Sequence, residues 1–150
     1  MKNFKLSRLF AAAALVACLS FTSCKPAEDV AQTIITTTQN TYAALLSGEW
    51  KSQYNDGYTI GGGLIFYDDG GYGYGWKRAI AEISGDYIYT FDSTGKYYAV
   101  AYKGYTGASC KFSNAYKSDG KTYANSLLEA KIEFTKENGY FGMYGTYIKQ

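Results

Sequence analysis

The feature that most constrains this chain is an alternation of apolar and polar side chains that begins near residue 49 and recurs to the C-terminus. Successive residues of a β-strand point to opposite faces, so this alternation predicts strands with one apolar face. Turn signals such as Asp56-Gly57, Asp69-Gly70 and Asp119-Gly120 separate the alternating stretches. Short strands spaced by about 8–12 residues are typical of sandwiches and barrels. We therefore predict a mainly β chain: a single small antiparallel β-barrel of about eight strands.

Tyrosine and glycine, which both occur 17 times, suit such a barrel. Tyr fills a small interior, and Gly allows bulges and sharp bends in the strands. The stretch 58–66 is predicted as one strand in which the glycines at 61–63 form a bulge. Its predicted apolar face consists of Tyr58, Ile60, Leu64 and Phe66.

Residues 126–136 allow two interpretations. Ser126 and Glu129 form a capping box, and Leu127, Ala130 and Phe134 follow it at helical spacing. The alternative is a strand, because apolar and charged residues also alternate from 128 to 134. The cap and the helix-favouring Leu, Glu and Ala residues lead us to predict one short α-helix near 126–136.

The first 23 residues have the layout of a secretory signal peptide. Three positive charges, Lys2, Lys5 and Arg8, precede the apolar segment 9–17, which is too short for a stable membrane span. Removing residues 1–23 takes these three charges away and changes the formal net charge from +2 to −1. The mature chain is thus not basic, and Lys77-Arg78 is an isolated pair, so we predict no nucleic-acid partner.

The end of this segment, Phe21-Thr22-Ser23-Cys24, resembles the lipobox of bacterial lipoproteins. The resemblance implies that Cys24 receives a diacylglycerol and an N-acyl chain, which hold the protein on a membrane. Cys18 is the alternative acylated residue, but cleavage there would leave an apolar start, whereas cleavage at Cys24 leaves a polar one. Cleavage without lipidation is a second alternative.

The lipoprotein resemblance also implies a domain plan and a location. Residues 1–23 are the signal peptide, 24–47 the lipidated N-terminus and flexible tether, and 48–150 the barrel domain. Lys25, rather than Asp, follows the predicted acylated Cys24, which in that family favours the outer membrane. We expect a lipid-anchored protein of the cell envelope, on the periplasmic or the surface face.

Two further resemblances concern the barrel. Gly48-Glu49-Trp50 resembles the Gly-x-Trp start of lipocalin-like barrels, in which the Trp plugs one end, and Gly85-Asp86-Tyr87 resembles a second lipocalin motif. The domain also resembles small Tyr/Gly-rich lipoprotein domains of spirochaetes, to which little activity is assigned. The stretches that carry this second resemblance are Tyr97–Tyr102, Leu127–Thr135 and Tyr144–Tyr147.

The composition argues against catalysis. The chain contains no histidine, so Ser–His and Cys–His nucleophile pairs are excluded, and the commonest zinc ligand is missing. Cys110 is the one thiol left after Cys18 and Cys24, and it is interpreted as a buried apolar residue. Most aspartates lie beside Gly in turn-like sequence. We predict no catalytic residue, no metal and no cofactor other than the lipid at Cys24.

The aromatic residues are the candidate ligand contacts. Tyr97 and Tyr98 point to opposite faces of one strand, so a single core cannot cover both, and exposed Tyr favours recognition surfaces. The predicted binding residues are Trp50, Trp76, Tyr98 and Tyr102. We predict a non-catalytic lipoprotein that recognises a protein or a glycan. A carrier of a small apolar ligand and a hydrolase that uses carboxylates are the alternatives.

Overall fold

A computed structural model describes residues 41–150. The predicted signal peptide, Cys24 with its alternative Cys18, and the predicted tether up to residue 40 lie outside the described residues. Helix α1 covers residues 41–46, directly before the first strand. No helix within residues 41–150 has the length and apolar character needed to cross a membrane.

Eight strands form a closed antiparallel barrel in which each strand pairs with its sequence neighbours and the last pairs with the first. Helix α2, Leu127–Glu133, lies between the last two strands. The prediction of a mainly β, eight-stranded antiparallel barrel with a short helix near 126–136 is therefore confirmed. The strands are β1 Gly48–Lys51, β2 Gly57–Gly61, β3 Leu64–Asp68, β4 Trp76–Ser84, β5 Tyr87–Phe91, β6 Tyr97–Lys103, β7 Ser109–Asn114 and β8 Gly145–Lys149.

The connections fall at two ends of the barrel, because consecutive strands run in opposite directions. Helix α1 enters β1 at one end, which we call the closed end. The closed end also holds the connections 62–63, 85–86 and 104–108. We call the other end the open end, and it holds the connections 52–56, 69–75, 92–96 and 115–144.

The prediction of one strand over 58–66 is wrong. Gly61 pairs with Leu64, and Gly62 and Gly63 form a two-residue turn with φ of 58° and 75°. Positive φ at both central residues is what the tightest hairpins require, and glycine supplies it without strain. A new strand thus begins at Leu64 with a reset alternation. Ile65 is buried, whereas Leu64 and Phe66 are exposed.

The barrel interior is filled by large side chains. Trp50, Tyr58, Ile65, Ile88, Val100 and Phe112 are all buried there. Leu46 of α1 is also part of this cluster, and its carbonyl oxygen accepts the indole N–H of Trp50 at 2.8 Å. Helix α1 therefore covers the closed end and fixes the ring of Trp50.

A second apolar cluster lies on the outer face of β5 and β6. Tyr89, Ala99 and Ala101 pack there against Ala130 and Phe134 of α2, and Tyr140 and Phe141 extend the cluster. The helix begins at the predicted capping box, since Ser126 Oγ accepts the Glu129 backbone N–H at 3.1 Å. Tyr97 and Tyr144, on the outer face, pack against this cluster. The chain thus covers both faces of these strands, with two cores.

Candidate ligand-binding site at the open end

The open end contains a cavity of about 420 Å³. Pockets for small molecules have volumes of about 300–1,000 Å³, with aromatic walls and a few polar groups. This cavity fits that description, because five of its eleven lining residues are aromatic and one has an amide side chain. Its principal lining residues are Tyr58, Tyr67, Phe112, Asn114, Met143 and Tyr147.

The floor of the cavity is a cluster of aromatic rings contributed by four strands. The ring centroid of Tyr58 lies 4.9 Å from those of Tyr67 and Phe112, and 5.1 Å from that of Tyr147. Tyr58 and Tyr67 are register partners on β2 and β3, which places both rings on the inner face. Gly145 leaves room for Tyr147, since a Cβ at that position would lie 2.8 Å from the Tyr147 ring.

Asp56 links this floor to the edge of the cavity. The Tyr147 hydroxyl donates to Asp56 Oδ2 at 2.8 Å, the Tyr67 hydroxyl donates to the same oxygen at 3.4 Å, and Ser52 Oγ donates to Oδ1. Burial, with the hydrogen bond to Asp56 as a further cause, raises the pKa of Tyr147. Burial also raises the pKa of Tyr58, well above its ordinary value. These phenols are therefore neutral hydrogen-bond donors at physiological pH.

Arg78 lies beside the aromatic floor. Its guanidinium carbon is 4.2 Å from the ring centroid of Trp76 and 3.4 Å from that of Tyr98. The Trp76 ring continues the floor, with its centroid 5.8 Å from that of Tyr67. The Tyr98 hydroxyl donates to Asp92 Oδ2 at 2.9 Å, which fixes the second ring. The open end thus holds a cation between oriented aromatic side chains.

Exposed tyrosines lie on three of the four open-end connections, at the same end of the barrel as the cavity. Tyr54, Tyr72, Tyr74 and Tyr116, which we call the aromatic rim, expose 75%, 80%, 80% and 62% of their surface. Tyr116 lines the cavity itself. Large exposed aromatics grouped around one concavity are typical of recognition surfaces.

Asp69 orders the connection that carries two of the rim tyrosines. Its Oδ1 accepts the backbone N–H groups of Gly71 and Tyr72 at 3.0 Å, and its Oδ2 accepts that of Tyr74. These hydrogen bonds, led by that from Tyr74, lower the pKa of the Asp69 carboxyl. The turn is also close to the 52–56 turn, since a Cβ at Gly70 would lie 3.2 Å from the Tyr54 carbonyl oxygen.

The four predicted binding residues divide into two groups. Trp50 and Tyr102 are buried, with 0% and 7% of their surface exposed. Both bond to groups at the closed end. Trp50 donates its indole N–H to the Leu46 carbonyl oxygen, and the Tyr102 hydroxyl donates to the Gly85 carbonyl oxygen at 2.7 Å. Trp76 and Tyr98, by contrast, meet at the open end.

The sequence prediction missed the central cation and the aromatic rim. Arg78 was interpreted only as part of a weak basic pair, although Trp76 two residues earlier signals a shared strand face. For the rim, the available signal was the Gly-Tyr alternation at 70–75, because tyrosines within a glycine-rich turn have few neighbours that could cover them.

Two of the remaining carboxylates, Asp68 and Asp86, have structural partners. Asp68 accepts the Gly70 N–H at 3.1 Å, and Asp86 forms an ion pair with Lys136 at 2.9 Å. Cys110 is buried, and burial raises its thiol pKa to about 11. Among residues 41–150, no group of three or more His, Cys, Asp or Glu side chains is placed to hold a metal ion.

The resemblances to lipoproteins and to lipocalin-like barrels stay predictions. In the described residues, Trp50 lies near the point where the chain enters the barrel at the closed end. The chain matches no protein-family model, no curated protein and no solved structure.

Proposed function

We propose that this protein is a non-catalytic, lipid-anchored envelope protein whose barrel binds a glycan at its open end. The observation that carries the proposal is the coincidence of a cavity of about 420 Å³ with the exposed aromatic rim at the same end of the barrel. Tyr offers a rigid apolar face together with a hydroxyl, which suits a ligand whose own surface alternates between CH and OH groups.

The shape of the site favours a glycan over a protein partner. A concave pocket of this volume accommodates a ligand of the size of one or two sugars. Stable protein partners bury roughly 800 Å² on each side, over a broad surface. Hydroxyl and amide groups at the cavity, including those of Asn114 and Tyr147, supply the polar contacts that orient a sugar.

The filled interior supports binding at the mouth of the barrel. Trp50, Tyr58 and Phe112 occupy the volume between the strands, with at most 2% of their surface exposed. A carrier that encloses an apolar ligand would need that volume. Because the interior is filled, an apolar ligand would have to bind in the open-end cavity, where glycan binding is also tested.

The binding test uses the full chain, purified in detergent, on an array of bacterial and host glycans. We expect the double variant Tyr72→Ala/Tyr74→Ala and the variant Tyr116→Ala to weaken binding by at least about tenfold, as loss of an aromatic contact commonly does. The matched control is Leu128→Ala, because Leu128 is also large and exposed, at 69%, but lies on α2.

Each other result of this test identifies a different function. Displacement of a fluorescent fatty acid from the cavity, without glycan binding, would establish the carrier. Cleavage of arrayed glycans would establish the hydrolase, and retention of a protein partner through the rim tyrosines would establish protein recognition. Equal loss in Leu128→Ala and the rim variants would remove the open end as the site.

The anchor is tested separately, by the intact mass of the protein from the membrane fraction. Acyl mass on Cys24 is the expected result, and mass on Cys18 or none at all would contradict it. Protease treatment of intact cells then separates the two faces of the outer membrane. A periplasmic domain is cleaved only after the membrane is broken, and a surface domain is cleaved directly.

A further inference from the structure

Arg78 points into the barrel at the open end. In the register of β3 and β4, Arg78 is opposite Ile65 and Trp76 is opposite Tyr67, and Ile65 is fully buried on the inner face. Lys77, between Trp76 and Arg78 in the strand, is exposed on the outer face. One strand thus presents two neighbouring cations to opposite sides of the barrel wall, and only Arg78 lies beside the aromatic floor.

The guanidinium of Arg78 has no hydrogen-bond acceptor and no ion-pair partner within residues 41–150. Its neighbours Trp76 and Tyr98 contact it through their ring faces, which leaves its five N–H donors without acceptors. Arg78 is partly buried, and burial lowers its pKa. The negative charge of Asp92 acts against this shift. Because Arg78 is only partly buried, its N–H donors stay open to an anionic ligand, which would supply the acceptors that the described residues do not.

The acidic group next to Arg78 is already engaged. Asp92 Oδ1 accepts the Thr94 hydroxyl at 2.6 Å and the N–H groups of Thr94 and Lys96 at 2.8 and 3.2 Å, while its Oδ2 accepts the Tyr98 hydroxyl at 2.9 Å. This carboxylate therefore serves the 92–96 turn and positions the Tyr98 ring.

A second polar group without a partner lies on the neighbouring strand. Thr90 of β5 pairs with Ile80 of β4 and with Tyr98 of β6, and its side chain shares the inner face with Ile88. Its hydroxyl is buried and makes no hydrogen bond. Buried polar groups in native proteins nearly always have a partner. The unpartnered Thr90 hydroxyl and the partly exposed guanidinium of Arg78 thus both face the interior beside Tyr98.

We propose that Arg78 is an anion-binding residue of the open end and that the ligand carries a carboxylate or a phosphate. The class is an acidic glycan, and this inference rests on the proposed glycan-binding function. The fork of a guanidinium donates two parallel hydrogen bonds to the oxygens of such a group, and the rings of Trp76 and Tyr98 hold the fork in place.

The test is a titration of the full chain in detergent, followed by intrinsic tryptophan fluorescence, to which Trp76 at the open end contributes. Glucuronate supplies the carboxylate, glucose 6-phosphate supplies the phosphate, and glucose is the neutral match. We expect one of the two acidic probes to bind at least about tenfold more tightly than glucose, with Arg78→Gln removing that difference. The acid that binds more tightly identifies the source of the anionic group.

Two variants separate a specific site from general charge. Lys77→Gln removes the same charge one residue away on the outer face, and we expect it to bind acidic probes as the unchanged protein does. Arg78→Lys keeps the charge but loses the planar fork, so we expect partial affinity. Arg78→Lys, with Lys77→Arg as its control, also provides the test if Arg78→Gln does not fold.

The outcomes distinguish failure of this inference from failure of the proposed function. Glucose binding as tight as that of both acids, or equal losses in Arg78→Gln and Lys77→Gln, would overturn the role of Arg78 while leaving glycan binding in place. Binding of inorganic phosphate that depends on Arg78, without binding of any sugar, would support the anion site and overturn the glycan function.

Discussion

The two tryptophans of this chain lie at opposite ends of the barrel and have opposite surroundings. At the closed end, Trp50 is fully buried and donates its indole N–H to the Leu46 carbonyl oxygen. At the open end, Trp76 is partly exposed and its ring contacts the guanidinium of Arg78. A helix covers one end, and exposed tyrosines lie at the other. One residue type thus packs in the core where a helix covers it and stays accessible where none does.

The tyrosine hydroxyls repeat this contrast. At the closed end, the Tyr102 hydroxyl donates to a neutral acceptor, the carbonyl oxygen of Gly85, at 2.7 Å. At the open end, the Tyr147 hydroxyl donates to a carboxylate, that of Asp56, at 2.8 Å. Backbone thus satisfies the closed-end hydroxyl, whereas an ionisable side chain satisfies the open-end hydroxyl.

Truncating the two tryptophans should give the largest difference between the ends. We expect Trp50→Ala to lower the free energy of unfolding by about 3–5 kcal/mol, because it leaves a cavity under α1. Trp76→Ala should cost less than half as much, since solvent already reaches that ring. Urea denaturation of both variants measures the difference, and equal losses would show that the open end is as tightly packed as the closed end.

Alkaline pH should destabilise the protein, because burial raises the pKa of several tyrosines. The pKa of Tyr102 is about 12, above the value of about 10 for an unfolded chain. The folded state therefore holds this proton more tightly. The protonated Tyr102 hydroxyl contributes fully to the free energy of unfolding below about pH 10, and this contribution is lost as the pH rises toward 12. Denaturation midpoints across this range, with Tyr102→Phe as the control, measure the effect. A flat profile would contradict it.

Removing single hydroxyls should have a smaller effect that differs between the ends. We expect Tyr147→Phe to cost about 1.5–3 kcal/mol of stability and Tyr102→Phe about 1 kcal/mol, because hydrogen bonds to charged groups are the stronger class. Thermal unfolding of the two variants at neutral pH provides the comparison. The reverse order would mean that Ser52 and Tyr67 fully satisfy Asp56 without Tyr147.

Replacing Thr90 should have the smallest effect on stability. Thr90→Val exchanges a buried hydroxyl without a partner for a methyl group of similar size. We expect stability to stay unchanged or to rise by up to about 1 kcal/mol. Thr90→Ser keeps the hydroxyl and loses the methyl group, so it should destabilise. A clear loss of stability in Thr90→Val would reveal a hydrogen bond to this hydroxyl.

Local sequence signals predicted much of the fold. The N-cap at Ser126 forms as expected, because its hydroxyl lies within one turn of the Glu129 N–H. The reciprocal half of the capping box differs, since the Glu129 carboxylate accepts the N–H of Asn125 at 2.8 Å. Asp69-Gly70 and Asp119-Gly120 lie in connections between elements, since their conformational preferences are local too. The error over 58–66 arose because glycines inside an apolar stretch indicate a bulge or a tight turn equally well.

The candidate site was harder to predict, because its residues are distant in sequence. Arg78 lies on β4 and contacts the ring of Tyr98 on β6, with β5 between them. Asp56 accepts a hydrogen bond from Tyr147, which lies 91 positions later in the sequence. Rim residues such as Tyr72 are exposed because no other element packs over them in the folded chain. Neither property is contained in the alternation of one strand.

The sequence by itself determined the β class, turns such as Asp69-Gly70 and Asp119-Gly120, and the one helix of the β7–β8 connection, because alternation, turn residues and capping act within a few residues. The tertiary structure decided which tyrosines are covered. Helix α2 packs on the outer face of β5 and β6 and forms a second core, whereas the open-end connections leave the aromatic rim exposed. Burial depends on neighbours brought together by barrel closure, so it follows from the whole fold.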